Sequence, residues 1–194
     1  MKICGLTHYV DAINAATLGA DMLGFIVQPG LLRYVKPEFL DVVRKAVNRP
    51  LVAVKLDLNF DGLMERADYV QVHRVLSREE LDALTTYSKK FILYVPGSEE
   101  GLRYVKEVNR VSNALVLVDS ARKGERLNLE IARKILDERP DSGVAGGITP
   151  ENVSKYLDLN PAWIDVSSGV ESEPTKKDVL KMKKLMEVVK GRRP

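Results

Sequence analysis

The chain has 194 residues, 45% hydrophobic and 29% charged, with one cysteine and 30 basic against 27 acidic side chains for a net charge of +3. That length supports one substantial core, and without a linker, a low-complexity tract or an apolar run of about 18 residues it reads as a single domain over residues 1–194 with no membrane span. The charges are interspersed rather than gathered into a basic stripe, which argues against a nucleic-acid partner, and a lone thiol excludes an internal disulfide or a cysteine zinc cluster.

The apolar segment at the start is too short and too soon punctuated for a signal peptide, so a cytoplasmic protein is expected. The reducing compartment implied by a single cysteine agrees. A high charged fraction with only two glutamines suits a protein that relies on surface ion-pair networks at elevated temperature.

Eight apolar runs of strand length follow one another at residues 2–4, 22–27, 51–56, 69–73, 91–95, 114–118, 143–145 and 163–166, each trailed by a helical pattern. Alternation at this spacing means strand–helix units on a parallel sheet. The uninterrupted apolar run at 114–118 fits strands covered on both faces. Eight units predict an α/β fold, a closed (β/α)8 barrel, here with trimmed loops because the chain is shorter than most such barrels.

The segments between carry helix signals. Ser77 with Glu80 forms a capping box ahead of Leu81 and Leu84. Ser98 caps a helix lined by Leu102, Val105 and Val108, and Asn128 one carrying Ile131, Ala132, Ile135 and Leu136. The last helix places Val179, Met182, Leu185, Met186 and Val189 inward and Lys181, Lys183, Lys184 and Lys190 toward solvent.

Barrel enzymes build their sites at the C-terminal ends of the strands. There the sequence puts Cys4 and Gly5 after the first run, Arg33 after the second, Asp57 after the third, His73 at the end of the fourth and Asp119 after the sixth. The first and sixth strands stand across the barrel, so Cys4 and Asp119 face a ligand from two sides as candidate base and acid. Read singly, Cys4 is equally a small buried hydrophobe, Asp119 a loop-capping carboxylate and Arg33 half of a surface ion pair. Arg33 also has the planar fork that binds a carboxylate with two parallel bonds. Nothing in the residues assigns a role to His73.

The seventh and eighth runs end in small residues. Gly146 and Gly147 precede Thr149 and Pro150, an expected N-cap and first helical position, and the last run ends in Ser167, Ser168 and Gly169. Backbone amides in two such turns on consecutive strands would converge on one phosphate, which is where barrels of this kind hold it.

The strings KICGLT at residues 2–7, GADMLGFI at 19–26, RYV at 33–35, QVH at 71–73, AGGITPENV at 145–153 and DVSSGVE at 165–171, with a KD pair at 177–178, together resemble the phosphoribosylanthranilate isomerase family over nearly the whole chain. The resemblance implies an Amadori rearrangement of a phosphoribosylated anthranilate in tryptophan biosynthesis, with no cofactor and no metal. It implies Asp119 as the acid that opens the sugar ring, Cys4 as the base at C2', Arg33 on the anthranilate carboxylate, and Gly146, Gly147, Ser167, Ser168 and Gly169 around the phosphate. The partner expected is therefore a phosphorylated small molecule, and the protein is expected as a monomer or homodimer.

The chain departs from the family at residues 120–128, a short basic stretch in place of a glycine-rich loop ending in an aromatic, and at Lys55 and Arg74. Another phosphosugar barrel enzyme would ask for a catalytic lysine with paired carboxylates, or for a metal cluster that two histidines hardly supply. A silent phosphate-binding barrel would lack the acid or the base.

Overall fold

The computed structural model describes residues 1–122 and 124–191. Lys123, within the departing stretch after Asp119, lies outside them. Eight parallel strands close into a barrel in sequence order: β1 Lys2–Ile3, β2 Met22–Ile26, β3 Leu51–Lys55, β4 Tyr69–Val72, β5 Lys90–Pro96, β6 Leu115–Asp119, β7 Gly143–Val144 and β8 Trp163–Val166. Closure is made by β1 pairing with both β2 and β8, Lys2 standing opposite Met22 on one side and Asp165 on the other. The apolar runs thus became the strands expected, with no end differing by more than one residue.

Among the described residues seven α-helices surround them: α1 Tyr9–Leu18, α2 Glu38–Arg44, α3 Arg78–Leu84, α4 Glu99–Val108, α5 Leu129–Glu138, α6 Val153–Leu157 and α7 Val179–Gly191. The caps form as the sequence dictates. Ser77 and Glu80 make the reciprocal capping box on α3, Ser98 accepts from the Gly101 amide, and Asn128 accepts from the Glu130 and Ile131 amides.

Three expectations fail for local reasons. No helix follows β3, where residues 61–66 form turns. Asp57 accepts from the Asn59 amide and Asn59 from the Asp61 amide, side-chain bonds that compete with a helical ladder, and Gly62 follows at φ +67°. Phe60 and Leu63 from this segment cover the core instead, Phe60 lying 5.5 Å from the Phe91 ring. The helix expected at Thr149 and Pro150 starts only at Val153, because Asn152 takes the Thr149 amide (2.8 Å) and donates to the Gly147 carbonyl (2.8 Å), closing a turn first. Val179, at the first position of α7, is exposed rather than inward.

The core has two parts. The larger lies between the sheet's outer face and the helices, from Leu23, Phe25, Phe91 and Val116 to Leu40, Val105, Ile135 and Leu185. The smaller fills the barrel with Met22, Val52, Val54, Ile92, Leu117 and Trp163. A strand alternates its side chains between faces. The inward set therefore includes Lys2 and Cys4 on and after β1, Gln71 and His73 on and after β4, Leu117 and Asp119 on β6, and Asp165 on β8. Of these, Cys4, His73 and Asp119 sit at the strands' C-terminal ends, and Lys2, Gln71 and Asp165 lie deeper. Among the described residues no helix is long and apolar enough to cross a membrane.

Candidate active site

Cys4 follows β1, its amide bonded to the Val166 carbonyl of β8 (2.8 Å) and its thiol buried. Gly24 on β2 makes room for it, since a Cβ there would lie 2.8 Å from Cys4 Sγ and 3.0 Å from Lys2 Cε. Burial pushes the Cys4 thiol up, and Asp165 adds to this, while the nearby Lys2 and Lys177 ammoniums pull it down without overcoming the burial. The thiol rests protonated.

Gly5 then turns the chain at φ +68°. A Cβ there would meet Arg33 Cδ at 2.5 Å and Ser167 Oγ at 2.8 Å, so this glycine is where the rim segments after β1, β2 and β8 meet.

Arg33 does join the site, but its fork is engaged. Its Nε donates to Glu171 Oε1 (2.7 Å) and its Nη2 to Glu171 Oε2 (2.6 Å). Glu171 also accepts from Lys177 Nζ at 2.9 Å, and that ammonium donates to the Ser167 carbonyl at 3.1 Å. Burial opposes ionisation of Glu171, yet Arg33 and Lys177 outweigh it and hold the carboxyl below its ordinary range. Glu171 and Lys177 were missed as functional candidates although both lie in the strings quoted above. They sit on a two-stranded ribbon, β9 Glu171–Glu173 with β10 Lys176–Lys177, that folds back over the end of β8.

Asp119 closes β6. Its Oδ1 accepts from the Ser120 amide (2.6 Å) and hydroxyl (3.2 Å), so it does cap its own loop, while Oδ2 faces His73 Nε2 at 3.5 Å. Burial raises the Asp119 pKa, with Asp165 adding to the effect and His73 and Ser120 opposing it. The same burial lowers that of His73, which is neutral. The His73 ring packs on Tyr94 at 4.7 Å between centroids, and burial with the nearby Asp119 pushes the Tyr94 phenol up to about 12.

The turns after β7 and β8 do converge. A Cβ on Gly169 would fall 1.8 Å from the Ile148 carbonyl oxygen, so the two loops touch backbone to backbone and only glycine fits. Gly146, at φ +99°, packs against Asp119 Oδ1, 2.8 Å from where its Cβ would be, and accepts at its carbonyl from Tyr156 (2.7 Å). The amides of Gly147, Ser168 and Gly169 donate to no protein acceptor among the described residues. Over Gly147 lies the stem of Arg126, whose Cγ is 3.1 Å from the glycine's Cβ position. Arg126 belongs to the departing stretch, and no repeat or motif around it marks it in the sequence.

Off the rim, a cleft of about 460 Å³ lies between α1 and residues 46–49, with Arg49 its one titratable lining residue. The titratable and nucleophilic side chains Cys4, His73, Asp119 and Glu171 gather instead at the strand ends. Fold and rim together are those of a (β/α)8-barrel enzyme. The sequence profile described as N-(5'phosphoribosyl)anthranilate (PRA) isomerase matches residues 1–188. The chain belongs to the phosphoribosylanthranilate isomerase family. It is 43% identical over 192 residues to the N-(5'-phosphoribosyl)anthranilate isomerase of Sulfolobus acidocaldarius, covering 98% of this chain and 96% of that one. The crystal structure of the phosphoribosyl anthranilate isomerase from Thermus thermophilus superposes with a TM-score of 0.84 at 29% identity, over 99% of this chain and 98% of that one. A phosphoribosyl anthranilate isomerase solved in complex with reduced 1-(o-carboxyphenylamino)-1-deoxyribulose 5-phosphate superposes with a TM-score of 0.83 at 27% identity, over 98% and 97%.

Proposed function

We propose that this barrel, acting as one catalytic domain, converts N-(5'-phosphoribosyl)anthranilate to 1-(2-carboxyphenylamino)-1-deoxyribulose 5-phosphate for tryptophan synthesis, in the cytoplasm and as a monomer or homodimer. The observation that carries the reading is an ordering around the barrel. Between β6, which ends in Asp119, and β1, which leads to Cys4, lie only β7 and β8, whose turns carry the undonated amides. A phosphate seated on those amides holds the sugar with one edge toward the carboxyl and the other toward the thiol.

The protonated Asp119 gives its proton to the furanose ring oxygen as the C1'–O bond breaks, and the anilino nitrogen's lone pair forms the Schiff base. Cys4, as thiolate, takes the proton from C2', leaving an enolamine that ketonises to the product. Burial favours the proton on Asp119, as an acid at neutral pH requires, whereas Cys4 must first lose its own. Lys2 and Lys177 are cations near enough to help. Arg33 presents its remaining edge to the anthranilate carboxylate, with Glu171 fixing the other edge. Gly147, Ser168 and Gly169 donate to phosphate, Ser167 borders them, and Gly146 shapes the turn against Asp119.

The test is loss of anthranilate-type fluorescence on mixing purified protein with freshly generated substrate, repeated with Cys4→Ser and Asp119→Asn. Each variant should lose roughly 10² to 10⁴ in kcat with little change in substrate affinity. No fluorescence change with wild type, or near wild-type kcat in either variant, refutes the assignment.

A further inference from the structure

Lys2 is fully buried inside the barrel, and Gln71 and Asp165 nearly so. Lys2 Nζ donates to Asp165 Oδ2 and to Gln71 Oε1, both at 2.7 Å. Gln71 Nε2 lies 3.0 Å from His73 Nδ1, and His73 Nε2 lies 3.5 Å from Asp119 Oδ2. A row of side chains thus runs from beneath Cys4 to Asp119 across the middle of the barrel.

The direction of each bond in the row follows from the one before. An ammonium has donors and no acceptor, so the Gln71 atom facing Lys2 is the oxygen. The amide's NH2 group then points at His73 and can only donate, so Nδ1 is the bare nitrogen. A neutral imidazole has one ring proton, which must be on Nε2, the nitrogen that faces Asp119. The opposite tautomer would set an Nδ1–H against the Gln71 NH2 group, donor against donor.

We propose that Lys2 and Gln71 hold His73 as its Nε2–H tautomer, so that it donates to Asp119 and serves as a positioning residue for the acid. The inference rests on the reading of Asp119 as the acid. When Asp119 delivers its proton, the ring oxygen takes it together with the bond pair, and the carboxylate left behind accepts from His73 Nε2–H as well as from the Ser120 amide. Donors to the charged form make Asp119 a stronger acid than burial alone would leave it. The other groups around this carboxyl are Asp165 from β8 and Lys2 from β1, which act through the barrel, and the phenols of Tyr94 from β5 and Tyr156 from α6.

The chain has two histidines, so nitrogen-15 NMR of histidine-labelled protein, with His8→Asn for assignment, reads the tautomer directly. At neutral pH His73 should show a bare Nδ1 and a protonated Nε2. An Nδ1–H tautomer or an imidazolium overturns the proposal, whatever any variant does. Gln71→Met should release the tautomer, lower kcat with KM nearly unchanged, and move the high-pH limb of kcat/KM upward by about one unit, a tenfold change in proton affinity. A lower rate with the limb unmoved would mean Gln71 is only structural, and also overturns it. The two readings separate cleanly. Full activity in Asp119→Asn refutes the choice of acid, whereas the wrong tautomer in a protein inactivated by Asp119→Asn refutes the positioning row alone.

Discussion

Replacing Lys2 by methionine removes a fully buried cation from the barrel while keeping nearly the same volume. Lys2 is 0% exposed, and Asp165 Oδ2 and Gln71 Oε1 both accept from it at 2.7 Å. Among the described residues the other Asp165 oxygen has no hydrogen-bond partner, so the variant leaves a buried carboxyl group with neither oxygen paired. Breaking a buried ion pair from one side costs about 3–5 kcal/mol. At roughly 2–4 °C per kcal/mol for a chain of this size, Tm should fall by about 6–20 °C. Substituting both partners, Lys2→Met with Asp165→Leu, removes the stranded charge and should recover all but the roughly 1–3 kcal/mol of the unpaired Gln71 oxygen. Urea unfolding of the two single variants and the double one gives the coupling energy. A single Lys2→Met within about 1 kcal/mol of wild type, or a double variant as unstable as the two singles added, would refute the reasoning. The recovered double variant should still turn over slowly, because Gln71 is no longer oriented and Cys4 has lost a neighbouring ammonium.

Gly169→Ala should raise KM for the phosphorylated substrate and destabilise the fold by about 1–3 kcal/mol, since its Cβ would collide with the Ile148 oxygen; unchanged inhibition by inorganic phosphate would place the anion elsewhere. Arg126→Met should weaken phosphate inhibition about tenfold and flatten its salt dependence while leaving kcat alone, because the stem that carries its charge lies over Gly147; an identical inhibition constant would exclude it from the anion site. Glu171 has its pKa lowered on folding, so its contribution to stability is complete above the unfolded carboxyl value near 4.3 and is lost as pH falls through the lower folded value. Glu171→Gln should therefore be less stable at neutral pH and lose less on acidification, which thermal melts from pH 7 to 3 would show. Parallel losses in both proteins would exclude Glu171 as the source.

Strand order and count were legible because each strand is a nearly unbroken apolar run, and the helices with Ser77, Ser98 and Asn128 were legible because a cap is a local signal. The segment after β3 was not, since whether residues 57–62 turn or coil depends on side-chain bonds among Asp57, Asn59 and Asp61 that composition only hints at. Cys4, Asp119, Arg33 and the two glycine turns could be placed at the rim from position alone. Their neighbours could not. Glu171 meets Arg33 across 138 residues and Lys2 meets Asp165 across 163, and no window of sequence contains such a pair. His73 stayed without a role for the same reason, its meaning being set by Lys2 on a strand three places around the barrel.

The touching loops after β7 and β8 have a mechanical consequence. With the Gly169 backbone seated on the Ile148 carbonyl, neither turn can shift without carrying the other, so the pair should open as one cooperative unit. Hydrogen exchange at Gly147, Ser168 and Gly169 should then report a common opening event, slowed together when phosphate binds. Divergent rates would show the turns to be independent. It also follows where the rim is free to change length. An insertion in either locked turn would dislodge both, whereas Arg122, Gly124 and Glu125 after β6 are exposed and take no part in that contact.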